Sequence, residues 1–336
     1  MKQRINGAIA KAALLASLAL AWAASANAQK FSDWKPPVNL GAVINSGVNN
    51  QHPAISKDNL SLYYSSDHTG TLGILDIWVS QRASVDEPWG GPQNFGPNIN
   101  SSGRDLAPAF SPDGHFLYFQ SDRPGGCGPA GTLDLYVSHR RNKHDDFGWE
   151  PAVHIPCGNI NTPGDDAGAT IFNDEEHDQT ILYFTRNLTP SNADGFDIYM
   201  STKDDDDDDP TAFGPAMLVP ELSSPFRDTR TTIRRDGLEM ILSSGRLGSV
   251  GPTRNEDLWV STRKNTDAPW GTPVNLGPVV NSPFFDGAPA LSRDGTTLYF
   301  FSERPGGFGK RNLYVTTRTK LKHEHKDKDD DDSKKE

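Results

Sequence analysis

Five oxygen-bearing residues recur at one place in a repeated pattern of this sequence: Asn50, Asp105, Asp166, Asp228 and Asp286. Each stands three positions before a proline or its equivalent, namely Pro53, Pro108, Ala169, Thr231 and Pro289. Four carboxylates and one amide gathered at a common mouth would suit Ca²⁺ or another hard divalent cation, which prefers oxygen ligands. Asp105, Asp166, Asp228 and Asp286 are the candidate metal-binding residues, and with Asn50 they are the candidate ligand-binding set. Carboxylates around a funnel could also serve glycoside hydrolysis, which needs two carboxyl groups roughly 5–9.5 Å apart with distinct protonation. Near-identical positions give little reason for such a difference. The competing reading is local: Asp and Asn commonly cap turns by accepting backbone N–H groups.

A second series, Asp76, Asp134, Asp197, Asp257 and Asn312, opens an apolar run in each repeat, and Arg123, Arg246 and Arg304 recur upstream. These read as structural contacts of Asp with backbone and with Arg. Cys127 and Cys157 are the only cysteines; an oxidising compartment would join them as a structural disulfide. Six consecutive Asp residues, 204–209, read as a solvated charge run. No His-Glu-x-x-His, Gly-x-Ser-x-Gly or Walker pattern occurs. No catalytic residue is therefore assigned, although a site assembled from several repeats would leave no short motif.

The elements that must position these residues are strands. Pro108-Ala-Phe-Ser-Pro-Asp-Gly114 followed by Leu117-Tyr-Phe119 returns as Pro289-Ala-Leu-Ser-Arg-Asp-Gly295 followed by Leu298-Tyr-Phe300, with weaker copies at Pro53, Ala169 and Thr231. Asp-Gly between apolar runs signals a hairpin. A third strand follows at Asp76, Asp134, Asp197, Asp257 and Asn312, spaced 58, 63, 60 and 55 residues apart. A fourth begins with an aromatic and a proline, at Trp34, Trp89, Trp149, Phe213 and Trp270; proline there fits a sheet edge. Four short strands per period, repeated radially, make a propeller. The chain opens on a fourth strand and closes on a third. The N-terminal strand, residues 34–41, is thus expected to complete the last blade and close the ring.

The pattern Pro-x-x-Ser-x-Asp-Gly…Leu-Tyr-Phe-x-Ser-x-Arg-Pro-Gly-Gly…Asp-Leu-Tyr-Val-Ser, best seen in residues 108–138 and 289–315, resembles the WD-like β-propeller repeat family, of the kind found in the TolB propeller. The resemblance covers nearly all of residues 31–318 and implies an all-β fold. It departs from TolB in having five blades rather than six and no separate N-terminal α/β domain. The fold expected is a five-bladed β-propeller with four antiparallel strands per blade.

Residues 1–28 read as a signal peptide: Lys2 and Arg4, an apolar run from Ala12 to Ala24, then Ala26-Asn27-Ala28. Residues 29–318 form the propeller and 319–336 a charged, disordered tail. Losing Lys2, Arg4 and Lys11 moves the formal net charge from −11 to −14. So acidic a protein is a poor partner for nucleic acid. No stretch has the roughly 20 apolar residues of a membrane span. The expectation is a periplasmic or secreted, non-catalytic binding or scaffold propeller that presents its loop-rich face to a protein, glycan or peptide. A carbohydrate-active hydrolase is the alternative, and a metal-dependent lyase or lactonase a second.

Overall fold

A computed structural model describes residues 30–321 except 47, 48, 190, 191, 193 and 253. The expected signal peptide and residues 322–336 of the tail lie outside the described residues. Phe31–Leu321 form one compact unit, all-β, of five four-stranded antiparallel sheets. Blade one holds β2 (Asn50–Ile55), β3 (Ser61–Ser66), β4 (Asp76–Gln81) and β5 (Gln93–Asn94). Blade two holds β6 (Asp105–Phe110), β7 (Phe116–Ser121), β8 (Asp134–His139) and β9 (Val153–His154). Blade three holds β10 (Asp165–Asp174), β11 (Gln179–Asn187), β12 (Asp197–Asp204) and β13 (Met217–Leu218). Blade four holds β14 (Asp228–Ile233), β15 (Glu239–Ser244), β16 (Asp257–Thr262) and β17 (Val274–Asn275). Blade five holds β18 (Asp286–Leu291), β19 (Thr297–Ser302) and β20 (Asn312–Thr317), and its outer strand is β1 (Val38–Asn39).

The ring closes as the order of the strands requires. Val38 pairs with Val315 and Asn39 with Tyr314. The seam runs further than expected: Phe31 bridges Lys320, and Ser32 N–H donates to the Thr319 carbonyl at 2.9 Å. Each fourth strand pairs through only two residues, because the proline before it (Pro37, Pro92, Pro151, Pro215, Pro273) has no N–H to give a longer ladder. The aromatic that opens each fourth-strand segment is stacked instead. Arg82, Arg140, Arg263 and Arg318 lie 4.3, 4.3, 4.4 and 4.3 Å from the ring centroids of Trp89, Trp149, Trp270 and Trp34.

The cores lie between blades. One cluster joins Leu62, Tyr64 and Trp78 of blade one to Ala290, Tyr299, Phe301 and Leu313 of blade five across the seam. Strands covered on both faces need apolar residues on both, which explains their continuous runs. The Ile-Asn-Ser/Thr links are latches. Ile44, Ile99 and Ile160 are buried, and the next residue uses its amide to imitate a strand. Asn100 Oδ1 accepts Ile77 N–H at 2.8 Å while its Nδ2 donates to the Ile77 carbonyl at 3.0 Å. Asn45 does the same to Leu313, Asn161 to Leu135 and Asn281 to Leu258. Cys127 and Cys157 are bonded, with Cα atoms 5.7 Å apart.

Candidate functional site at the channel mouth

The inner strands β2, β6, β10, β14 and β18 line a central channel. They run from the face that carries the Gly-rich loops and blade links to the face that carries the Asp-Gly hairpins. The five candidate residues open or nearly open these strands, and all are fully buried. The structure turns their side chains away from any common ligand. Asp105 accepts Ser101 N–H at 2.6 Å and its hydroxyl at 2.8 Å on one oxygen, and Arg123 Nη2 at 2.5 Å on the other. Asp166 repeats this with Thr162 and Arg186, Asp286 with Ser282 and Arg304, and Asp228 with the Ser224 hydroxyl and Arg246. The arginines also donate to the carbonyls of Ile99, Ile160, Leu222 and Val280 in the links. Each Asp is therefore a rivet between a blade link and the end of a second strand. A Ca²⁺ ion there would have to displace a guanidinium from every ligand, so the set does not fit a cation cage.

Blade one carries an uncharged version of this rivet. Asn50 accepts from the Ser66 hydroxyl at 2.9 Å, and His68, two residues on, meets the Ser46 hydroxyl at 2.7 Å. Burial holds the His68 pKa below 6.5. The second Asp series is also structural. Asp76 accepts Leu72 N–H and Asn94 Nδ2, Asp134 takes Cys127 N–H and His154 Nε2, and Asp257 takes Val250 N–H and Asn275 Nδ2. The recurrent arginines reach the first series, not this one.

Two residues past each rivet, every inner strand has a bulge. The register shifts there, and the residue takes a positive φ: His52 (54°), Ala107 (54°), Gly168 (64°), Arg230 (47°) and Ala288 (51°). A non-glycine residue in this region is uncommon and strained. Here the preceding blade holds it in place: the N–H groups of Ala107, Gly168, Arg230 and Ala288 donate to Ser65, Gln120, Thr185 and Ser243. The bulge residues form one layer across the channel, with three small members and two basic ones. Beyond it, towards the hairpin face, lies a cavity of about 410 Å³ walled by Pro53, Pro108, Ala169, Thr231 and Pro289. Its lining mixes apolar residues with polar ones, Lys57, Glu175, Arg235 and Arg293 among them, and Asp113 is committed to its own turn through Ser111 and His115.

The polar chemistry lies on the other side of the bulge layer. Arg230 reaches past Gly168, whose missing side chain leaves its room: a Cβ there would sit 3.1 Å from the Arg230 Cδ and Nη1. Arg230 Nη1 then donates to Gln120 Oε1 at 2.5 Å. Above it Arg227 pairs with Glu256 at 2.6 Å and lies 4.2 Å from the Phe196 centroid. Arg311 pairs with Glu303 at 2.9 Å, donates to Gln51 and lies 5.2 Å from the Phe301 centroid. Phe301 stacks on Phe285 at 5.2 Å and takes the edge of His52 at 6.0 Å. Burial, with Arg230, Arg311 and Arg227 facing it, holds His52 well below 6.5, so the ring is neutral at pH 7. Burial raises the Glu256 carboxyl above its ordinary value of 4.5, against the opposing pull of Arg227, the Thr229 hydroxyl and Arg230.

Glu256 and Glu303 flank one strand. The Glu256 carbonyl accepts Asp286 N–H, and Glu303 N–H donates to the Phe285 carbonyl, both at 2.9 Å. With neighbouring strands roughly 4.8 Å apart, the two residues start about 10 Å from each other. Sequence reading missed both: Glu256 has no acidic counterpart in the other repeats, and Glu303 stands where Asp67 and Asp122 are also acidic. The available signal was deviation: the residues before the third strands read Leu75, Leu133, Phe196, Glu256 and Arg311, and the bulge positions read His, Ala, Gly, Arg, Ala.

No protein-family model and no curated protein matches the chain. Solved structures do. An α-L-arabinofuranosidase, PaAbf62A, from Podospora anserina in complex with cellotriose superposes with a TM-score of 0.54 and 13% identity over 87% of this chain and 97% of its own. The catalytic domain of a Coprinopsis cinerea GH62 α-L-arabinofuranosidase gives 0.55 and 13% over 85% and 97%. An α-L-arabinofuranosidase from Lactobacillus brevis gives 0.55 and 14% over 85% and 95%. The shared feature is the fold. Two expectations are corrected by these matches. The resemblance to WD-like, TolB-type repeats gives way, because the structural neighbours are glycoside hydrolase propellers. The non-catalytic scaffold reading gives way with it, and the carbohydrate-active alternative is the one carried forward. Among the described residues no helix is long and apolar enough to cross a membrane.

Proposed function

We propose that this is an exported carbohydrate-active hydrolase that works from the loop-rich mouth of its channel, with Glu256 and Glu303 as the carboxyl pair. The observation that carries the reading is their placement on either side of Phe285–Asp286, one buried and one with a quarter of its side chain exposed. From a start about 10 Å apart, two Glu side chains reach the roughly 5–9.5 Å separation that glycoside hydrolysis uses. Their environments also differ, one desolvated and the other partly open to water, as two carboxyl groups with two roles require. Glu256, desolvated and raised, is the general acid. Glu303 is the second carboxyl group, as nucleophile or as base for water. Phe196, Phe285 and Phe301 supply apolar faces on which a sugar ring can rest. The signal-like N-terminus supports export to a periplasm or medium. The four Asp rivets are outside this chemistry, since each is fully buried with one oxygen committed to its blade link and the other to an arginine.

The test is product release from arabinofuranosyl- and xylosyl-linked oligosaccharides, the substrates suggested by the neighbours' names. Glu256→Gln and Glu303→Gln should each lower kcat by about 10²-fold or more and leave the melting temperature close to the parent's. No turnover of any such substrate by the parent, or full turnover by both variants, would remove the reading.

A further inference from the structure

The bulge layer holds a positive charge that the fold does not balance. Among the described residues, Arg227 and Arg311 at the mouth each have a carboxylate partner, whereas Arg230 has none within ion-pair distance. Its recorded side-chain partner is the neutral Gln120, which Gly168 N–H pins from the other side at 2.9 Å. Three arginines and two glutamates leave the mouth cationic in a chain of formal net charge −11. Facing the same space is His52, whose Nδ1 is buried with no hydrogen-bond partner. A half-buried charge with no counter-charge and a buried polar nitrogen with no partner both carry a cost. Two such groups in one layer, beside three positions small enough to leave room, suit an anion. Burial and the nearby Arg227 also push Arg230 down to about 9, against the opposing pull of Glu256.

We infer that His52 and Arg230 form a subsite for an anionic oxygen group, a carboxylate or a sulfate, carried on the sugar that enters the mouth. This rests on the glycan reading above and narrows it to acidic glycans. The guanidinium fork matches a planar carboxylate through two parallel bonds, and a neutral imidazole adds one donor. Gly168 leaves room for this, since a Cβ there would press on the Arg230 side chain.

Calorimetric titration of the mature chain with a xylo-oligosaccharide series tests it. The series differs in one substituent: none, a glucuronate branch or a sulfate. An acidic member should bind about tenfold more tightly than the unsubstituted one, the difference expected for one charge-assisted contact. That difference should shrink with added salt, which needs no variant. Arg230→Gln should erase the preference without changing affinity for the neutral sugar, and His52→Gln should reduce it. Whether the glucuronate or the sulfate gains more identifies the anion. Equal affinity across the series, or a preference that survives Arg230→Gln, would overturn the inference and leave the hydrolase reading standing. Tight acidic binding without turnover would do the reverse. No binding by any member would overturn both.

Discussion

Arg123 shows what a single side chain does here: it holds Asp105 and the Ile99 carbonyl at once, so removing its partner strands a charge. Asp105→Ala should cost about 3 kcal/mol or more, read by urea unfolding. Asp105→Asn should cost less, because blade one already runs on Asn50 with His68 in place of an arginine. Millimolar Ca²⁺ should leave the parent's melting temperature unchanged; a rise of several degrees would restore the cation reading of the ring. His52 and His68 set a pH dependence of known sign. Both are held below 6.5 in the fold. As pH falls below about 6.5 the unfolded chain takes up protons that the native histidines refuse, so stability drops. Their contribution is fully present above that value and shrinks towards pH 5. His68→Gln should flatten the fall in melting temperature between pH 7 and pH 5.

At the scale of elements, the blade link matters more than its sequence suggests. Asn100 and its counterparts each complete both hydrogen bonds of a residue in the preceding blade's third strand. Asn100→Ala should therefore cost about 1–3 kcal/mol, whereas the exposed Asn142 should tolerate the same change. The hairpins, the five third strands and the order of strands were legible because they follow hydrophobic alternation and turn chemistry, which are local. The bulges were not. They depend on a hydroxyl or amide from the neighbouring blade, such as Ser65 for Ala107, and no local pattern announces that. The mistaken family likeness has a related cause. Ser111, Asp113 and Arg123, which carried it, all prove to be turn locks and rivets. Such residues describe how a blade is held, and propellers of different chemistry can share them. The candidate site was illegible for the opposite reason: His52, Arg230 and Glu256 break the repeat, and Glu303 hides among acidic counterparts such as Asp67 and Asp122.

For the whole molecule, closure is the central constraint. Arg318 stacks 3.9 Å from the Phe31 centroid and 4.3 Å from that of Trp34, and pairs with Glu239 of blade four, so the seam involves three parts of the chain. Deleting residues 31–41 should lower the melting temperature sharply; a truncated chain that melts like the parent would contradict the closure. Reducing Cys127–Cys157, which spans 30 residues, should cost about 3 kcal/mol without opening the seam. The two effects are separable by near-ultraviolet circular dichroism.

The position of β1 also sets a timetable. Its partner, β20, lies at the far end of the propeller sequence, so the first strand made must wait for the last. Until Tyr314 has been synthesised the circle cannot be completed.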